Sequence, residues 1–189
     1  MSSETPPDPE PLPGFPVDSS ERLYDSHWCG LRRDQLVLPD GKLQEYHVFE
    51  VPDAVSIVPV LPDGRLLLLW QYRYPHGKSH WEVPAGRIHE DEELEAAAAR
   101  ELREETGHRA GRLERVAGFY PTNGISAHYA HIVIAHDCVE EGAVQLDAAE
   151  RLEVHVFDRA RVKKLLASGA VEDGFTALAL FYYLDRSSD

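Results

Sequence analysis

Residues 86–108 read GRIHEDEELEAAAARELREETGH. A glycine opens the stretch, alanines fill its middle, an acidic segment follows and Gly107 closes it. Alanine, leucine and glutamate are strong helix formers, and glycine is the usual residue just past a helix end, so the spacing predicts a helix over about 90–106. At roughly 100° per residue, Leu94, Ala98, Glu101 and Glu105 fall within about 60° of one another, flanked by Ala97 and Leu102. Two glutamates therefore occupy the stripe that should face the core. Carboxylates three or four residues apart repel on an isolated helix. A divalent cation reverses the sign of that effect, because Mg²⁺ or Mn²⁺ prefers hard oxygen donors at close quarters. Glu101 and Glu105 are thus the first candidate metal ligands, with Glu104 next. A local rule broken inside an otherwise consistent element is where function is expected.

The stretch resembles the Nudix box, the signature of hydrolases that cleave a nucleoside diphosphate linked to another group. That pattern runs glycine, five residues, glutamate, seven residues, then Arg-Glu-apolar-any-Glu-Glu-any-Gly-apolar. Gly86, Glu92, Arg100, Glu101, Leu102, Glu104, Glu105 and Gly107 all fit it. His108 departs, standing where the family usually has an aliphatic residue, which bears on packing behind the helix end and not on the metal site. The resemblance implies an α/β/α sandwich with a mixed sheet over about residues 53–189.

The flanks narrow the resemblance. Gln71-Tyr72-Arg73 ends a predicted strand, and Trp81-Glu82-Val83-Pro84-Ala85-Gly86 leads into the box. The pair resembles the ADP-ribose and nucleoside-diphosphate-sugar pyrophosphatases. In that group the arginine equivalent to Arg73 contacts substrate phosphate, and the carbonyl at the position of Ala85 is a metal ligand. Arg73 also reads as an arginine capping a strand end, and Glu82 as a substrate contact or an arginine partner. Trp28 and Trp81 read as core or hairpin aromatics or as base-stacking platforms. Pro121 follows the box at about the interval associated with ADP-ribose hydrolysis, although proline is common in such loops. The segment 122–127 departs from the group, lacking its serine-rich run and following glutamate, so GDP-mannose or another nucleotide sugar stays open beside ADP-ribose.

Net charge is −14, from 33 acidic and 19 basic residues, which excludes non-specific nucleic-acid binding. Apolar residues make up 43% of the 189, enough for a full core, and no apolar run approaches the length of a membrane span. Residues 1–16 are rich in proline and acid without an apolar centre, unlike a signal peptide. Cys29 and Cys138 form no metal-ligand spacing and read as reduced thiols of a cytoplasmic protein. The ten histidines read as structural or surface.

Along the chain, residues 1–20 are expected as a disordered or extended proline-rich tail. Strand patterns at 28–37 and 43–51 around Pro39-Asp40-Gly41 predict an antiparallel hairpin within 21–52. In the resembling enzymes a similar segment swaps across a homodimer and helps build the nucleoside pocket. A second hairpin is expected from 54–60 and 65–72 around Pro62-Asp63-Gly64, both strands being central. Further strands are expected at 113–119, 128–135 and 152–158, then helices at 159–168 and 173–184 burying Leu178, Leu180, Phe181 and Leu184.

The expected chemistry is attack of water on a phosphorus of a pyrophosphate, assisted by Mg²⁺ or Mn²⁺, giving a nucleoside monophosphate and a sugar phosphate. Arg100, four residues before Glu104, should hold a box carboxylate. The water needs a general base. The resembling group points to a downstream loop, where Glu150 is the candidate and Glu153, inside the strand, the runner-up, with Glu104 after them. Two other readings remain: dinucleoside polyphosphate or coenzyme A cleavage, and a non-catalytic ligand sensor, against which the intact glutamates argue.

Overall fold

The structure, a computed structural model, describes residues 8–186. The chain divides into two compact units at the Glu50–Val51 junction. The first is an antiparallel sheet of three strands, β1 (Val17–Asp25), β2 (Gly30–Val37) and β3 (Leu43–Glu50), with β2 central. Part of the expected tail, residues 1–7, lies outside the described residues, and residues 17–20 are strand and not irregular chain. β1 hid from the sequence because all nine of its residues are exposed, so no alternation marks it. Its order comes from the ladder to β2. Ion pairs Arg22–Glu50, Arg33–Glu21 and Arg32–Asp34, the last at 2.9 Å, lace the sheet.

The second unit holds β4 (Ala54–Pro59), β5 (Leu66–Arg73), β6 (Lys78–Glu82), β7 (Ala85–Arg87), α1 (Leu94–Thr106), β8 (His108–Arg109), β9 (Arg112–Phe119), β10 (Ala130–His136), β11 (Val139–Glu140), β12 (Leu152–Phe157), α2 (Arg159–Ala167) and α3 (Gly174–Arg186). One sheet runs β7-β4-β10-β9, with β4 and β10 parallel and the other pairs antiparallel. A second, wholly antiparallel, runs β12-β5-β6. β8 and β11 form a short ribbon.

The two-residue period of β4 and β10 divides the core in two. Val55, Ile57, Val133 and Ala135 face Ala97, Ala98 and Leu102 of α1. Val58, Ile132 and Ile134 point the other way, against Val162 of α2, Ala179 and Leu180 of α3, and Leu66, Leu68 and Phe157 of the second sheet. Helices thus cover both sides of a mixed sheet, the expected α/β sandwich. Burying each such aliphatic side chain contributes about 1.5–3 kcal/mol.

Pro62-Asp63-Gly64 makes the expected turn, with the Gly64 N–H donating to the Leu61 carbonyl at 2.9 Å. The expected hairpin does not follow. β4 and β5 share only the bridge Val60↔Leu66 and diverge into different sheets. Each is central, as its continuous apolar run implied, and both its edges are taken by other strands. In α3 the inward residues are Thr176, Ala179, Leu180 and Tyr183, while Phe181 is 59% exposed. At 100° per residue Phe181 falls on the far side of that stripe. α1 starts at Leu94 and not near residue 90, since Asp91 takes φ 61°, outside the helical region. No helix among the described residues is long and apolar enough to cross a membrane. Cys29 and Cys138 are free thiols, and burial pushes the Cys138 thiol up to about 11.

Candidate active site

The inward stripe of α1 is as the wheel placed it. Ala97, Ala98, Glu101, Leu102, Glu105 and Thr106 are buried, Glu105 to 2% exposure. Strand β7 lies directly against the two glutamates. A Cβ on Gly86 would stand 2.0 Å from the Glu101 carboxylate, so only glycine permits this approach. The Ala85 N–H donates to Glu105 Oε2 at 2.9 Å.

Arg100 organises the rest. Its Nε and Nη2 donate to the two oxygens of Glu92, each at 2.9 Å. Nη2 also donates to the Arg87 carbonyl at 2.9 Å. Nη1 donates to Glu101 at 2.6 Å and Glu104 at 3.2 Å. All five guanidinium N–H groups therefore have acceptors, an arrangement lysine has too few donors to copy. The Arg100 hydrogen bonds hold the Glu92 carboxyl down at about 2.

Electrostatics set Glu101 and Glu105 apart. Burial pushes both carboxyls above their ordinary range. The Arg100 hydrogen bond pulls Glu101 back, while Glu104 and Glu150 push it up. Glu101 and Glu150 push Glu105 further, against the Ala85 amide and Arg73. Among the described residues no three His, Cys, Asp or Glu side chains stand assembled to hold a metal ion. The carboxylates are instead turned toward Arg100 and the Ala85 amide. As a donor set they fit a hard divalent cation: clustered oxygens, two of them on buried groups whose negative charge is incompletely compensated.

A cleft of about 390 Å³ opens beside this cluster, lined in part by Ala85, Gly86 and Arg87. Arg73 lines it from β5 and Glu82 from β6. Arg73 Nε and Nη2 pair with both oxygens of Glu82, at 3.0 and 2.7 Å. Burial works against the Arg73 charge, but Glu82 outweighs it and keeps the guanidinium protonated. The corner between β6 and β7 is pinned from two sides. The Val83 N–H donates to Thr176 Oγ1 of α3 at 3.0 Å, and the Ile57 N–H of β4 to the Pro84 carbonyl at 2.8 Å.

Glu150 sits in the loop before β12, where its Oε2 accepts the Asp147 N–H at 2.9 Å. That loop is laced to the end of α1: Glu141 and Gly142 donate to the Gly107 carbonyl, and Gln145 to the Glu104 carbonyl at 2.8 Å. Gly107, at φ 70°, approaches the Gly142 carbonyl so closely that a Cβ would stand 2.2 Å from it.

Of the residues singled out from the sequence, Arg73, Glu82, Ala85, Arg100, Glu101, Glu104 and Glu105 converge, and Glu150 is felt electrostatically by both buried glutamates. Glu153 is not brought in. Its side chain is 75% exposed and pairs with His155 at 3.4 Å. Pro121 lies in the connection after β9 and does not itself line the cleft, although Phe119, two residues before it, packs on the lining residue Phe175 at 5.3 Å between ring centroids. Trp28 belongs to the first unit, 61% exposed against the His27 ring. Sequence reading passed over His76, His80, Glu172, Asp173 and Phe175, which also line the cleft. The alternation Lys78, His80, Glu82 puts them on one face of β6, but five residues are too few for that period to stand out in the sequence.

A family profile for the NUDIX domain matches residues 50–178, and one for the nucleoside diphosphate sugar hydrolase N-terminal domain matches residues 17–49. The chain is similar to an ADP-ribose pyrophosphatase of Bacillus subtilis, 32% identical over 165 residues that span 87% of this chain and 89% of that protein. It is also similar to an ADP-ribose pyrophosphatase of Mycobacterium tuberculosis, 34% identical over 129 residues, 68% of this chain and 62% of that one. A crystal structure of an ADP compounds hydrolase shares the fold, with a TM-score of 0.82 and 24% identity over 94% of this chain and 96% of that chain.

Proposed function

The chain belongs to the Nudix hydrolase family, and from that premise we propose that it hydrolyses the pyrophosphate bond of ADP-ribose or a closely related nucleoside diphosphate sugar. The observation that carries this reading is the pair of buried glutamates on α1, set against Ala85 and Gly86 at a cleft that a clamped arginine also lines. The match of residues 17–49 to the sugar-hydrolase N-terminal domain supports the substrate class. The products would be a nucleoside monophosphate and a sugar phosphate.

Glu101, Glu105 and Glu104, with the Ala85 carbonyl, would hold Mg²⁺ or Mn²⁺, which when bound neutralises phosphate charge and acidifies the attacking water. Arg100 holds Glu101 and Glu104 in place through Nη1, while Nε and Nη2 anchor it on Glu92 and the Arg87 carbonyl. Glu82 engages Nε and Nη2 of Arg73, leaving Nη1 for a phosphate oxygen. Glu82 therefore acts through Arg73. Glu150 accepts the proton of the attacking water, its loop bringing the carboxylate in when substrate binds. The first unit, residues 17–50, is the proposed arm of a homodimer, and Trp28 is its candidate platform for the nucleobase. The departure at 122–127 keeps GDP-mannose as the second substrate to test.

Purified protein with Mg²⁺ should be assayed against ADP-ribose, GDP-mannose, UDP-glucose and diadenosine polyphosphates. The expected result is the highest kcat/KM on ADP-ribose. Turnover confined to dinucleoside polyphosphates would overturn the sugar-linked class, and no turnover of any would return the ligand-sensor reading.

A further inference from the structure

Part of the cleft lining carries a chemistry that phosphates do not need. His80 projects from β6 on the same face as Glu82, two residues on. It is nine-tenths buried, and its Nε2 has no hydrogen-bond partner among the described residues. Its Nδ1 lies 3.2 Å from Glu172 Oε2. Lys78 reaches the same oxygen at 2.5 Å. Both partners take Oε2 of this half-exposed carboxylate, and among the described residues Oε1 has no partner, so its lone pairs stay open. Asp173 repeats the pattern: its Oδ2 accepts the Thr176 N–H at 2.8 Å at the start of α3, and among the described residues Oδ1 takes no partner. Consecutive residues in the lining of the cleft thus each have one carboxylate oxygen engaged and one open.

Lys78 and His80 hold the Glu172 carboxyl below its ordinary range, so it is an anionic acceptor at neutral pH. Negative charge on this wall repels phosphate, and Asp173 lies within electrostatic reach of Arg73, so the wall adjoins the arginine proposed to take a phosphate oxygen. Lys78 on the same carboxylate disfavours a cation. Hydroxyl groups, which donate to carboxylates, are the complementary chemistry, and neighbouring acceptors suit neighbouring hydroxyls.

We infer that Glu172 and Asp173 receive the hydroxyls of the sugar on the distal phosphate. This wall is then the sugar subsite, Glu172 is its specificity-determining residue, and His80 and Lys78 position it. The inference rests on the sugar-diphosphate hydrolase reading and names which part of that site selects the sugar.

The test compares ADP-ribose with the methyl ester of ADP, which keeps the nucleoside diphosphate and lacks the sugar. The readout is the ratio of the two kcat/KM values, with a thermal melt to show each variant folded. Glu172→Ala should lower the ratio by about 10- to 100-fold, the range for a lost hydrogen bond to a charged group. His80→Leu should lower it too, while His80→Asn, which keeps a donor toward Glu172, should restore most of it. A ratio unchanged within about 2-fold in a folded Glu172→Ala protein overturns the sugar subsite and leaves the hydrolase reading standing. A wild type that cleaves neither ester sinks the hydrolase reading and this inference with it.

Discussion

Replacing Glu105 by Gln keeps its shape and removes its charge. Glu105→Gln should lower kcat by at least about 10²-fold if Glu105 holds the metal as proposed. The melting temperature of the chelated protein should hold or rise, because burial and Glu101 both oppose the Glu105 charge. A folded, fully active variant would remove Glu105 from the site. If Glu150 is the base as proposed, Glu150→Gln should lower kcat strongly with KM within a few-fold, and the acidic limb of the pH profile should vanish with it. Glu153→Gln should do little, since that side chain is exposed beside His155. If the two outcomes are exchanged, the roles are exchanged. If both variants stay active, Glu104 is next. Arg100, Glu101 and Glu105 were legible from the sequence because a helical period fixes a face. Glu150 could be named only through the resemblance, because a loop has no period, and His80 was passed over because one histidine in a five-residue strand breaks no rule.

The element that joins the buried glutamates to the loop of Glu150 is the end of α1. Gly107 carries the left-handed φ that stops the helix, and its carbonyl and that of Glu104 take the amides of the following loop. Gly107→Ala should cost at least about 1–2 kcal/mol for the φ alone, because a Cβ 2.2 Å from the Gly142 backbone oxygen also forces the loop to move. Chemical denaturation measures the first effect. The second should appear as a fall in kcat beyond what the residual folded fraction explains, since the displaced loop carries Glu150. An unchanged denaturation midpoint would show the turn to be more pliant than its contacts suggest. Elements with a strong period or a continuous apolar run were readable here: α1, β4, β5, β10 and β12 fall close to their expected spans. β6, β7, β8 and β11 were not, because strands of two to five residues are too short for alternation to register. The expected β4–β5 hairpin failed for another reason. A turn signal fixes a reversal of the chain and not which strands then pair.

Across the whole molecule, Glu114 ties three elements together. From β9 it accepts from Arg112 at 3.0 Å, contacts His136 of β10 at 2.9 Å and takes Arg186 of α3 at 3.0 Å. The Arg112 hydrogen bond, then that of His136, lower its carboxyl to about 2 from an ordinary 4.5. A folded pKa below the unfolded one adds stability that is full above 4.5 and lost as pH falls toward 2. Melting temperature should therefore drop over that window, and Glu114→Gln should flatten part of the drop. An identical slope in the variant would mean the tie contributes nothing. Two further outcomes belong to this scale. Chelation should abolish turnover and Mg²⁺ or Mn²⁺ restore it, and turnover persisting in excess chelator would rule out the metal. Sedimentation at micromolar concentration should report a dimer, and a clean monomer would count against the arm of residues 17–50.

The parting of β4 and β5 after their shared turn has a consequence for how this protein changes over time. The chain crosses between the two sheets at 60–66 and again at Val83-Pro84, and the cleft is lined from both. Ala54, Ala85, Gly86 and Arg87 come from one hydrogen-bonded ladder, Arg73, His80 and Glu82 from the other. The residues proposed to hold the metal, on α1 against β7, and several of those proposed to recognise substrate, on β5 and β6, therefore hang on separate frameworks, like two leaves on one spine. A lineage can rewrite the recognising leaf, exchanging side chains along β5 and β6, without disturbing the register that keeps Gly86 against Glu101. Selection for a new substrate should leave its marks on one page.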